Sequence, residues 1–183
     1  MKKINPQVET LKENFWTKIS FKPAFFFWTL FFSLLAVTAP VLLAHVPKNQ
    51  LLVGTIVNAS LFGAVWQVGW LGAVWVAILP SSAALIKGTL PSPMAMLIPF
   101  IIISNLILIS VFQLLPKKNL FSIFLSAGLK FLFLFSVMLF FSNKIPANFL
   151  TMLSWPQLVT ALSGGIIVWL IKKFSTKNQS KTN

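Results

Sequence analysis

Lys130 is the residue of this chain whose type and position most directly suggest chemistry. It lies ten residues inside the apolar run that opens at Leu120, about 15 Å deep at ~1.5 Å per helical residue. That depth is the midplane of a bilayer, where a lysine costs ~2.5 to 3.5 kcal/mol to insert and its stem cannot carry the ammonium fully to either surface. No Asp or Glu occurs in any apolar block; the only acids are Glu9 and Glu13. Four kinds of compensation remain open: a deprotonated amine, a ring of carbonyl and amide oxygens, an acid on a partner subunit, or an anionic ligand.

Three amides fall at comparable depth in other apolar blocks, namely Asn58, Asn105 and Gln157. Singly, each reads as a helix-to-helix hydrogen bond worth ~0.6 kcal/mol. Converging on a charge, they read as a substrate-binding site. Ser122, Ser126 and Lys130 recur every fourth residue, so one face of that helix is polar and belongs in the bundle interior. Trp155, beside Pro156 and Gln157, is either a flat wall for a ligand or an interfacial anchor; Trp66, Trp70 and Trp169 read as anchors. Catalysis and metal binding find no support. His45 has no acid or cysteine near it, Ser163-Gly164-Gly165 has no histidine at matching depth, and the chain has no cysteine at all. No cofactor is expected.

The elements that position these residues follow from composition. The 183 residues are 57% apolar and only 9% charged, against ~25% charged in soluble domains, which predicts an all-α integral membrane protein. Uninterrupted runs such as Phe100-Ile101-Ile102-Ile103-Ser104-Asn105-Leu106 lack the alternation of barrel strands. Six transmembrane helices are expected, over about 23–44, 51–66, 70–87, 94–115, 120–142 and 150–171. Residues 51–87 would make a continuous helix of about 55 Å, far longer than a bilayer requires, so a break is expected near Gln67-Val68-Gly69. Residues 1–22 place Val8, Leu11, Phe15 and Ile19 opposite Glu9, Lys12, Glu13 and Lys18, the pattern of an amphipathic helix at the membrane surface. They lack a signal-peptide core and are expected to remain in the mature chain. Residues 173–183 form a basic polar tail, with 23–172 as the membrane domain.

The lysines fix orientation. With the N-terminus inside, eleven lysines lie in the cytoplasm and three, Lys48, Lys87 and Lys144, outside, which predicts a multi-pass protein with both termini cytoplasmic. They flank apolar blocks and form no single basic face, so the net charge of +13 does not predict nucleic-acid binding. Small residues at fourfold spacing predict close helix packing: Gly69, Ala73, Ala77 and Ser81; Ala161 and Gly165; and a stripe of Ala36, Pro40 and Ala44, open to an internal neighbour or another subunit.

Ile56-Val57-Asn58-Ala59, Leu90-Pro91-Ser92-Pro93, Ile98-Pro99-Phe100, Ser104-Asn105, Lys130-Phe131-Leu132-Phe133 and Ser154-Trp155-Pro156-Gln157-Leu158 ahead of Gly164-Gly165 together resemble the substrate-binding S components of energy-coupling factor (ECF) transporters. The resemblance covers most of residues 25–172. It implies a six-helix subunit of the bacterial cytoplasmic membrane that captures a vitamin or related micronutrient from outside. Such a subunit works with a transmembrane coupling subunit and two ATPases. By position, the resemblance points to Asn105, Lys130, Trp155 and Gln157, with Lys48-Asn49-Gln50 as a lid. In this reading Lys130 holds a carboxylate or phosphate, the amides orient the ligand and Trp155 stacks on it. Two other classes stay open: a non-transporting membrane scaffold of the cell-shape type, and a self-contained secondary carrier. The carrier would need a coupling-ion acid that the spans lack.

Overall fold

The structure is a computed structural model that describes residues 23–43, 45, 46, 49–86, 95–143, 146 and 150–179. The N-terminal amphipathic segment, Lys48 and the loops around Lys87 and Lys144 lie outside the described residues. The described residues form five α-helices, α1 (Pro23–Leu42), α2 (Gln50–Ile86), α3 (Ile98–Leu114), α4 (Leu120–Phe140) and α5 (Trp155–Gln179), with a 3-10 turn at Thr151–Leu153. Helices α1, α2, α4 and α5 are each long and apolar enough to cross a membrane, and α3 is a shorter apolar helix of 17 residues.

Where six separate helices were expected, residues 50–86 form one element interrupted at Gly69, whose backbone has φ 75° and ψ −169°. Only glycine takes that conformation at no steric cost. Two helical stretches meet there at a kink. Trp66 packs its ring on Phe112 of α3, at 5.9 Å between centroids, whereas Trp70, four residues later, donates its Nε1–H to Ser110 Oγ at 3.0 Å, back toward the start of α3. Both halves also lie against α1, since a Cβ at Gly63 would strike Phe32 and one at Gly72 would meet Thr29. Nothing lies within 4 Å of a Cβ built on Gly69, so a substitution there meets backbone strain alone. Gly69→Ala should therefore destabilise the bundle by about 1 to 2 kcal/mol, seen as a modest drop in detergent melting temperature. An unchanged melting temperature would mean that the positive φ is not required.

Local signals set the other boundaries. The Asn119 side chain caps α4 by accepting from the Ser122 backbone N–H at 3.1 Å. Lys118 Nζ donates to the carbonyls of Phe112 and Gln113 at 2.7 and 3.2 Å, satisfying the open C-terminal end of α3. Helix α5 starts at Trp155 and not at 150 as expected, because Pro156 has no N–H to donate and fits only a helix's first turn. It runs to Gln179, so much of the expected tail is helical.

Two apolar clusters stack along the bundle. The larger includes Leu61, Phe62 and Val65 of α2, Leu108, Ile109 and Phe112 of α3, Ile123 and Ala127 of α4, and Ala161 and Val168 of α5. At its centre the Phe62 and Phe112 rings meet edge to face at 4.8 Å, a preferred aromatic geometry. The smaller comprises Leu97, Leu134, Val137, Leu150 and Leu153. Ala36 of α1 joins the larger cluster with Ala73, Val76 and Ala77, so the first-span stripe is spent partly on an internal neighbour. The rest of α1 is peripheral: only Ser33, Ala36 and Ala39 are buried, and Phe26, Phe27, Leu30, Phe31 and Leu34 are exposed.

Candidate functional site

Between the two clusters lies a polar layer. Each contributing helix changes character at the same level. On α4, Ile123 and Ala127 give way to Lys130 and then to Leu134 and Val137; on α3, Leu97 and Ile98 give way to Ser104 and Asn105 and then to Leu108. Asn58 of α2 and Thr160 of α5 complete the layer, and all these polar residues are buried.

Lys130 is 2% exposed. Its Nζ donates to Asn58 Oδ1 and to Asn105 Oδ1, each at 2.7 Å, so three helices meet at one amine. Asn58 is itself fixed: its Nδ2 donates to the Gly54 carbonyl at 2.8 Å and to Thr160 Oγ1 at 3.3 Å. Thr160 in turn donates to the Gln157 carbonyl at 3.2 Å. Hydrogen bonds to a charged group contribute about 1.5 to 3 kcal/mol each, and two of them match the ~2.5 to 3.5 kcal/mol insertion cost of the lysine. Amide oxygens therefore suffice to hold the amine at mid-bundle.

Two of the five expected site residues, Asn58 and Asn105, meet Lys130, the third. Gln157 is half-buried one turn from Thr160, and its backbone carbonyl joins the network. Trp155 is 60% exposed and is not part of the layer; its ring has the placement of an interfacial anchor, not of a wall beside the amine. Ser122 and Ser126 are buried on the Lys130 face as expected, but their hydroxyls bond local groups and not the amine. Ser126 Oγ donates to the Ser122 carbonyl at 2.7 Å, and Ser122 Oγ bonds the Lys117 carbonyl. Ser104 does the same toward Ile101.

Thr160, Gly54 and Gly164 were not singled out from the sequence as site residues. A Cβ on Gly54 would sit 2.8 Å from Thr160 Cγ2, and one on Gly164 would sit 2.6 Å from the Ala59 backbone nitrogen. The readable signal was the spacing of Gln157, Thr160 and Gly164 at i, i+3 and i+7, one face of a helix. No group of three or more His, Cys, Asp or Glu capable of holding a metal occurs among the described residues.

Fold and site together define a multi-pass helical membrane protein with a lysine and amide layer at its centre. Comparison with protein-family models, with curated proteins and with solved structures found no match.

Proposed function

We propose that this chain is the membrane-embedded substrate-binding subunit of an ECF-type importer, taking up a small anionic vitamin or micronutrient from outside. The observation that carries the reading is the Lys130 amine, held by Asn58 and Asn105 at 2.7 Å each in the interior of the bundle. An ionisable residue inside a membrane domain marks a solute site by default, and a purely apolar layer of the same volume would be as stable or more so. The ammonium has three N–H donors, and the two amides use two of them. The third, with the positive charge, is available to a carboxylate or phosphate.

In this reading the two halves of α2 cross separately, giving six crossings, and the lysine bias places both termini in the cytoplasm. The end of the bundle near Lys118 and Lys172 is then cytoplasmic, and cargo enters from the other end. The chain is a binding subunit and not an enzyme. Energy comes from two ATPases acting through a transmembrane coupling subunit, since the sequence has no phosphate-binding glycine loop.

The scaffold reading has one observation in its favour: the amine and the layer's serine hydroxyls already have internal partners. Purification of the full-length protein from its host membrane, with mass spectrometry of what accompanies it, separates the two. A stoichiometric small anion with coupling and ATPase subunits supports the importer. A protein without cargo, associated with cell-wall machinery, supports the scaffold. Asn105→Asp sharpens the test by placing a carboxylate against the amine and neutralising it from within. The folded protein should be retained and anion retention should fall at least about tenfold, roughly 1.4 kcal/mol; undiminished retention would remove Lys130 from the cargo site.

A further inference from the structure

A second cluster of charge lies at the end of the bundle near Gln67 and far from the amine layer. Lys118, Lys172 and Lys173 surround a recess of about 180 Å³ whose other walls are Trp66 and Trp169. At ~30 Å³ per water molecule that is space for about six waters, sufficient for a phosphate group and part of its hydration.

Each of the three ammonium groups touches at least one uncharged group. Lys118 Nζ is held by the two carbonyls at the end of α3 and lies 4.8 Å from the centre of the Phe112 ring. Lys172 Nζ donates to Gln67 Oε1. Lys173 Nζ sits 4.8 Å over the Trp169 ring, a cation–π contact. Neither acid of the chain, Glu9 nor Glu13, is among the described residues. Burial also lowers the Lys118 pKa below the ordinary lysine value, because desolvation penalises the charged form.

Depth identifies the anion. Leu120, the first residue of α4, is ten residues from the mid-bundle Lys130, about 15 Å and half of a ~30 Å hydrocarbon core. With Lys130 at the bilayer midplane, this count puts Lys118 just beyond the hydrocarbon, where lipid phosphates lie, a level at which tryptophans are also enriched. Basic recesses between membrane helices at this level favour anionic headgroups.

We propose that the recess formed by Trp66, Trp169, Lys118, Lys172 and Lys173 binds the phosphate of an anionic phospholipid of the adjoining leaflet. The site is independent of the cargo site and of what that site carries. Its two aromatic walls pack against the glycerol and the upper acyl chains, and the lysines surround the phosphate.

Native mass spectrometry of the full-length protein in detergent, titrated with phosphatidylglycerol or phosphatidylcholine, tests the assignment. Phosphatidylglycerol should be retained about tenfold or more over phosphatidylcholine. Lys172→Gln with Lys173→Gln should weaken its retention by about fivefold per lysine. Lys117→Gln removes one charge at a lysine that does not line the recess and should leave retention unchanged. Equal retention of the two lipids, or a loss from Lys117→Gln equal to the loss per lysine in the double variant, would overturn the proposal. So would displacement of phosphatidylglycerol by millimolar inorganic phosphate with no lipid preference, which would assign the recess to a free phosphate. Lys118 is left intact because it also caps α3.

Discussion

If the proposed anionic solute binds at Lys130, Lys130→Met should abolish its capture while leaving the protein inserted and folded. Two effects of opposite sign decide the second half of that result. Removing the ammonium relieves ~2.5 to 3.5 kcal/mol of insertion cost. It also strips the donor from Asn58 Oδ1 and Asn105 Oδ1, and each buried acceptor left alone costs about 1 to 3 kcal/mol. The sums nearly cancel, so the melting temperature in detergent should move by only a few degrees. Binding has no such compensation: the positive charge and the third N–H are both gone, and retention of the co-purified anion should fall at least about a hundredfold, some 2.7 kcal/mol. Equilibrium binding and thermal unfolding on the same preparation read the two halves separately. Full affinity in a folded variant would place the cargo elsewhere, and a collapsed protein would make Lys130 a structural residue of the scaffold kind.

Gly164→Val should be the most damaging single change in the membrane domain. A Cβ there would lie 2.6 Å from the backbone nitrogen of Ala59, 2.8 Å from the Thr55 carbonyl oxygen and 2.9 Å from the carbonyl carbon of Asn58. Backbone atoms of a packed helix cannot step aside singly, so α5 and the first half of α2 would have to separate as bodies. Overpacking typically costs about 1 to 3 kcal/mol, and this contact belongs at or above the top of that range. The separation would also carry Asn58 away from Lys130, so solute retention should fall with stability. The neighbouring glycine provides the control. At Gly165 the nearest obstacles are side-chain atoms, Ile123 Cγ2 at 2.4 Å and Phe62 Cε2 at 3.0 Å, and not backbone. Side chains yield at a rotamer cost where helix backbone does not, so Gly165→Ala should lower the melting temperature less than Gly164→Ala does. Equal losses would show that the helices are less tightly apposed than the structure has them.

Much of the architecture was legible in the sequence because a bilayer imposes a length. Thirty-seven helical residues exceed what a membrane accommodates, and the break expected near Gln67-Val68-Gly69 appears at Gly69 with a positive φ. The depths of Asn58, Asn105 and Lys130, counted from the ends of their runs, placed them at one level, and the hydrogen bonds at 2.7 Å join them. Trp155 was misplaced because sequence adjacency is not spatial adjacency. Residues 155 and 157 are about 200° apart around a helix of 3.6 residues per turn, so a half-buried Gln157 directs Trp155 outward. The serine stripe was placed correctly and its chemistry was not, since a helical serine readily bonds the carbonyl four residues back. Lys118, Lys172 and Lys173 were read as topological signals; that they share a recess depends on where α3 and α5 end around α2, whose Trp66 lines it.

The smaller apolar cluster has a kinetic consequence. Leu97, Leu134, Val137, Leu150 and Leu153 pack together on one side of the amine layer, and under the proposed importer reading a solute arriving from that end would have to part them. Uptake and escape would then share one barrier. Occupancy should persist long after free solute is diluted away, and exchange should quicken steeply with warming. Trimming Leu153 to alanine should shorten residence time in both directions without much altering the final equilibrium.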